Sequence, residues 1–189
     1  AENRLIRMED AGGSTTSYTY DANGQMTKTT SAMGAETSST YDALGRQISS
    51  ADALGHVTGY EYDVLGRATK ITYADGGFVA YTYDANGNKI SREYPNYETT
   101  HYYYDECNQL IEMDEFRSRG NPLYKFYYTY DAVGNQTGIT YPDGSKVSNF
   151  YDAVYNLTSV IDADDGTYAY VYDDANRPVK LTYGGVYAN

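Results

Sequence analysis

The chain reads as an all-β protein built from repeated antiparallel hairpins, and three observations predict this. First, eight Tyr-Asp pairs recur along 189 residues. Successive motif tyrosines lie 21 residues apart, with a single spacing of 26 between Tyr104 and Tyr130. A fixed period in this range marks an array whose units bury their apolar faces on their neighbours. Second, turn residues fall about ten positions apart within each period, leaving room for two strands of ordinary length. Third, the composition is rich in residues that suit a half-buried pleated surface: 25 tyrosines, no tryptophan and 4 phenylalanines. A tyrosine ring packs while its hydroxyl keeps a polar partner.

The first turn of each unit begins at the motif. The pairs are Tyr20-Asp21, Tyr41-Asp42, Tyr62-Asp63, Tyr83-Asp84, Tyr104-Asp105, Tyr130-Asp131, Tyr151-Asp152 and Tyr172-Asp173. Four residues after each tyrosine come Gly24, Gly45, Gly66, Gly87, Asn108, Gly134, Tyr155 and Asn176. Seven of these eight are Gly or Asn, the residues that most easily take positive φ. Asn23-Gly24 and Asn86-Gly87 add a hairpin signal. Each Asp is placed to accept a backbone N–H two residues on, so the tyrosine ends a strand and the aspartate starts its turn.

The second turn is read at Gly12-Gly13, Met33-Gly34, Leu54-Gly55, Asp75-Gly76, Asn96-Tyr97, Asp143-Gly144, Asp165-Gly166 and Gly184-Gly185. The five extra residues of the long unit fall at this turn, near 115–124, where insertions are tolerated. On the strands, Thr27, Ile48, Thr69, Ile90, Ile111, Thr137, Thr158 and Val179 form a β-branched column seven residues after each tyrosine. By the period of two they are expected on one face with Ile71, Ile139 and Val160 and with the tyrosines that precede the motif by two. Lys28, Lys70, Glu112 and Lys180 are expected on the opposite, polar face. A sheet of sixteen to eighteen such strands is expected to curl rather than stay flat.

Charge and cysteine usage narrow the functional classes. A net charge of −12 argues against phosphate-backbone binding, which needs clustered Lys and Arg. Neither does any run of 18 apolar residues offer a membrane span. The lone Cys107 cannot form an intrachain disulfide. His101 lies six residues before it, but no third group is in view to orient a nucleophile and its base. His56 and His101 lack companions at zinc-ligand spacing and read as surface residues. Asp162-Ala-Asp164-Asp165-Gly166 is a dense acidic run that turn chemistry explains more simply than calcium. Asn135 and Asn156 begin glycosylation acceptor patterns. No catalytic, cofactor or metal residue is therefore expected.

The units Tyr60-x-Tyr62-Asp63-x-x-Gly66-Arg67, Tyr81-x-Tyr83-Asp84-Ala-Asn-Gly87-Asn88 and Tyr41-Asp42-Ala-Leu-Gly45-Arg46 resemble the YD repeat of Rhs proteins. That family includes bacterial polymorphic toxins, the shell components of insecticidal toxin complexes and the animal teneurins. The resemblance covers the whole chain, with Asn108, Asn176, Tyr155 and the long unit after Tyr104 as departures. It implies a spiralling β-shell that encloses a toxic C-terminal domain, secreted or at the surface of a bacterial cell and delivered with a secretion or injection apparatus. The chain then reads as one array over 1–189, about nine units cut in phase from a longer array, with the rest of that array and the enclosed toxin as its partners. The self-cleaving region of such toxins has no counterpart here. An alternative reading is an adhesion module in which exposed tyrosines stack on glycans, and tyrosine exposure separates the two.

Overall fold

The computed structural model describes residues 4–117 and 122–185. Among them there is no helix, and seventeen strands belong to one antiparallel sheet. Two compact units divide the chain, one comprising Ala1–Thr82 with Glu93–Pro95, the other Tyr83–Arg92 with Asn96–Asn189.

The strands of the first half are β1 (Arg7–Glu9), β2 (Thr15–Tyr20), β3 (Met26–Thr30), β4 (Glu36–Tyr41), β5 (Gln47–Ala51), β6 (Val57–Tyr62), β7 (Ala68–Thr72) and β8 (Phe78–Tyr83). From β1 to β8 each strand pairs with the next. The second half runs through β9 (Lys89–Glu93), β10 (Thr99–Tyr104), β11 (Leu110–Phe116), β12 (Tyr124–Tyr130), β13 (Gln136–Thr140), β14 (Lys146–Tyr151), β15 (Leu157–Asp162), β16 (Gly166–Tyr172) and β17 (Pro178–Gly185). From β10 to β17 the same successive pairing holds. This is the meander that the two turns per period predict.

The strand that follows each motif turn departs from simple alternation. Tyr62 pairs with Ala68 and Glu61 with Lys70, so Thr69 has no partner across the ladder. Ile48, Ile111, Thr137, Thr158 and Val179 are skipped in the same way. The β-branched column is therefore a column of β-bulges, each an extra residue that bends its strand and strengthens its twist. The expectation that the whole column packs on the tyrosine face is corrected for its aliphatic members, whereas Thr27, Thr69, Thr137 and Thr158 are half-buried. Ile48 is 40% exposed, Ile90 38%, Ile111 39% and Val179 60%. The column two positions further on does share the tyrosine face: Ile71 opposes Tyr60 and Ile139 opposes Tyr128.

Burial is shallow throughout. Val79 is the one apolar residue in the buried class among the described residues, joined by Thr100 and Asp114. The motif tyrosines and aspartates are all half-buried. A single sheet buries little by layering, so backbone pairing and the side-chain bonds along the turns must supply much of the order. At the end of the described chain, Gly184 and Gly185 do not form the expected turn. They extend β17, opposite Thr167 and Gly166. The long unit lengthens β11 and β12 to seven residues each, and Leu123 N–H donates to Glu115 O at 2.7 Å. Of the expected insertion near 115–124, residues 118–121 lie outside the described residues.

Candidate functional site

The Tyr-Asp column is the candidate site, because it recurs in every unit and spends its polar atoms in a constant way. In the first turn Asp21 N–H donates to Gln25 O at 2.9 Å, and Gly24 N–H donates to Asp21 O at 3.1 Å. This is a type I turn closed by a residue in the left-handed region, the three-residue hairpin loop that carries a bulge. The Asn-Gly dipeptides sit inside that loop and do not form a two-residue turn of their own. All eight positions four residues after the tyrosine have positive φ, including Asn108 (62°), Tyr155 (69°) and Asn176 (57°). Tyr155 leaves the turn unaltered: Tyr155 N–H still donates to Asp152 O at 3.1 Å.

Each motif carboxylate clamps its own loop from outside. Asp63 Oδ1 accepts from Leu65 N–H and from Arg67 N–H, both at 2.9 Å. Asp42, Asp131, Asp152 and Asp173 accept the same two donors in their units. The donor two residues on follows from the sequence; the second, four residues on, does not. The other carboxylate oxygen takes the side chain that ends the loop: Arg46 Nε at 2.7 Å, Asn135 Nδ2 at 2.8 Å, Arg177 Nε at 2.8 Å. Three such donors per carboxylate hold it ionised. The Asp42 carboxyl lies below the usual range, first because of the Arg46 backbone N–H and then its guanidinium; the Asp173 carboxyl is lowered by the Arg177 side chain and then its N–H.

The tyrosine reaches backwards to the preceding unit, a link the sequence reading missed. Tyr62 Oη–H donates to Gln47 O at 2.8 Å, and Tyr41 to Met26 O, Tyr151 to Gln136 O and Tyr172 to Leu157 O at 2.9–3.0 Å. Tyr20 and Tyr104 do likewise with Leu5 and Lys89, each 15 residues earlier. Tyr130 reaches 20 residues back to Leu110, so the hydroxyl spans the long unit to the same carbonyl. Met26, Gln47, Leu110, Gln136 and Leu157, the acceptors in bulged strands, each stand just before the bulge. Met26 O lies beyond Lys28↔Ser38, the last pair of that ladder, and so needs a partner from outside it. Burial raises the Tyr104, Tyr130 and Tyr151 hydroxyls above the usual phenol range.

The loop-ending residue completes the stitch to the following unit. Arg46 Nη1 donates to Asp63 O at 3.0 Å, and its guanidinium lies 4.8 Å from the Tyr62 ring centroid. Gln25 Nε2 donates to Gly45 O at 2.9 Å, and Asn156 Nδ2 to Asn176 Oδ1 at 3.1 Å. Along this edge the turns of Asp21, Asp42 and Asp63 are thus bonded in series, as are those of Asp152 and Asp173.

The remaining candidates are accounted for individually. Cys107 is exposed at a loop tip, its N–H donating to Asp105 Oδ1. His56 is exposed and bonds Asp52 at 2.8 Å. His101 is half-buried rather than on the surface, with its ring 5.0 Å from that of Phe116, because the long unit places an aromatic diagonally across from it. Asp162 Oδ1 accepts the Asp164 and Asp165 N–H groups, turn chemistry of the expected kind. Asn135 and Asn156, the acceptor-pattern residues, donate their side-chain amides to Asp131 and Asp152. A cluster the sequence reading did not single out lies across β11 and β12. There Lys125 Nζ donates to Asp114 Oδ2 at 2.7 Å and to Glu112 Oε1 at 2.5 Å. Asp114 is 4% exposed, and a carboxylate so placed requires its cation. The two carboxylates raise Lys125 above the ordinary lysine range, Asp114 first.

Comparison with known proteins agrees with this geometry. The family profile RHS Repeat matches residues 1–36 and 41–77. No match is found among curated proteins. Solved structures align along most of the chain. In the crystal structure titled TcdB2-TccC3-TEV the match covers 95% of this chain and 12% of that chain, at 21% identity and a TM-score of 0.77. The Photorhabdus luminescens Tc holotoxin pore carrying TccC3-D651A aligns over 91% of this chain and 11% of that chain, at 21% identity and 0.74. TcdB2-TccC3-Cdc42 aligns over 88% and 10%, at 17% identity and 0.73. The chain spans about an eighth of the length of the first of these. The fold is that of an Rhs-repeat shell segment. Residues 1–36 and 41–77 carry the RHS Repeat pattern, and the chain is similar in fold to the TcdB2-TccC3 and Tc holotoxin structures.

Proposed function

We propose that the chain is a wall segment of a YD/Rhs-repeat shell, without catalytic chemistry of its own, and that the shell encloses a C-terminal toxin or other cargo until delivery. One observation carries this reading. The motif carboxylates, and the hydroxyls of Tyr20, Tyr41, Tyr62, Tyr104, Tyr130, Tyr151 and Tyr172, are engaged by backbone groups of their own and the preceding unit. A residue held by three donors in a turn is a poor candidate for a general acid or for a cation ligand. The motif tyrosines serve as stitches and the motif aspartates as turn clamps, and the whole of 1–189 acts as one array continuing into flanking repeats. Secretion or display by a bacterial cell and an apparatus that receives the loaded shell belong to the same proposal. The likeness to TcdB2-TccC3 structures supports it through the fold.

The half-buried motif rings favour a wall over an adhesion face, which needs adjacent open rings. The test uses the full-length protein with its C-terminal domain. Limited proteolysis is expected to spare that domain in the native protein and to cleave it when several motif Tyr-Asp pairs are replaced by Ala. Equal cleavage in both, or binding of a glycan array lost with the same substitutions, contradicts the proposal.

A further inference from the structure

Tyr168 and Tyr183 stand apart from the other tyrosines. They are direct register partners across β16 and β17, on the face that carries the motif rings. Their centroids lie 4.8 Å apart with an interplanar angle of 37°. Both hydroxyls converge on one residue: Tyr168 donates to Asp165 Oδ2, and Tyr183 to Asp165 O at 2.6 Å with Oδ1 at 3.3 Å. The rings therefore lie side by side with both phenol ends held at the same residue. Tyr183 is 54% exposed, so an oxidant in solution reaches the pair.

The repeat supplies its own comparison. The two positions, four before and eleven after the motif tyrosine, hold Thr16 and Ser31, Thr58 and Tyr73, or Phe126 and Tyr141 in other units. Only the unit of Tyr172 has tyrosine at both. Phe126 and Tyr141 form an edge-on pair 6.1 Å apart, and a phenylalanine ring has no phenol to oxidise.

We propose that Tyr168 and Tyr183 are a site of oxidative cross-linking, coupled to dityrosine by a peroxidase-class one-electron oxidant with hydrogen peroxide. Each ring gives up one electron and its phenolic proton, with Asp165 placed to receive a proton as it leaves. The two phenoxyl radicals join through their ortho carbons, and the two hydrogens on those carbons move to the oxygens to restore both phenols. The pair loses two electrons and two protons in all, and one hydrogen peroxide takes them up to give two waters. The product is a covalent staple between β16 and β17.

The chain is treated with peroxidase and limiting hydrogen peroxide, digested with trypsin and read by mass spectrometry. Lys180 separates the two tyrosines, so trypsin places them on different peptides. The expected product is a monomer in which those two peptides are joined with the loss of two hydrogens, as the dominant link, with dityrosine fluorescence. Tyr183→Phe and, separately, Tyr168→Phe are expected to abolish that link and most of the fluorescence while the β-sheet circular dichroism is kept. Links spread among other tyrosines, links only between chains, or no link under conditions that couple free tyrosine would each overturn the proposal. A variant that keeps the fluorescence would overturn it as well.

Discussion

Tyr62 and Asp63 divide their work by direction: the hydroxyl bonds backwards to Gln47, the carboxylate closes the turn ahead. Removing one partner of such a bond leaves the other to find water or go unmet. Tyr62→Phe, which keeps the ring, is expected to lower the unfolding free energy by about 1 kcal/mol, read by urea titration. The left-handed column makes a prediction of opposite sign. Tyr155 holds φ 69° at a cost that glycine does not incur. Tyr155→Gly is expected to stabilise by roughly 0.5–1 kcal/mol, whereas Gly66→Ala in the same column destabilises by about 1 kcal/mol or more. A raised midpoint for the first and a lowered one for the second would check both. At this scale the sequence makes Asp legible, because its short carboxylate can reach only its own turn. The target of the tyrosine hydroxyl is not legible. It lies 15 residues away, and only the register of the sheet brings it near.

At the scale of the hairpin, turn positions and strand count follow from the period, while face assignment does not follow from alternation alone. Three residues beyond the left-handed closing residue the strand carries a bulge, and the bulge shifts every side chain before it relative to those after it. That is why Ile48, Ile90 and Ile111 stand more exposed than a strict period of two places them. The end of β17 shows the reverse case, where a Gly-Gly dipeptide with turn composition continues a strand because Thr167 and Gly166 lie opposite to pair with it. The Lys125–Asp114–Glu112 cluster was likewise invisible, since its members come together only through pairing of β11 with β12. Lys125→Met leaves the Asp114 carboxylate buried without its cation and is expected to lower the thermal midpoint. Restoring stability by adding Asp114→Leu and Glu112→Leu would confirm the cause in a thermal melt. A periodic array further implies that whole units are dispensable. Deleting 42–62, one full period, returns every hydroxyl to an equivalent carbonyl and is expected to preserve the β-sheet circular dichroism. Deleting 42–51, half a period, is expected to abolish it.

For the chain as a whole, the motif carboxylates set the acid limit. Asp42, Asp131, Asp152 and Asp173 have folded-state values below the unfolded ones. They therefore stay ionised in the fold, and proton uptake favours the unfolded chain. Their contribution is fully present above about pH 4 and is lost as pH falls further, through the folded values. The urea midpoint is accordingly expected to hold nearly constant from pH 7 to about 5 and to drop below about 4. The net charge of −12 adds mutual repulsion at neutral pH, which salt screens.

The most direct measurement is hydrogen exchange on the chain carrying Tyr62→Phe with Asp63→Ala, resolved by peptide. The motif pair is held to stitch its unit to the one before. The expected result is faster exchange confined to the hairpins around Gln47 and Asp63, with the unit of Tyr151 unchanged. Exchange that stays the same throughout would show that the Tyr-Asp pair does not hold the sheet together, and would contradict the account at its centre.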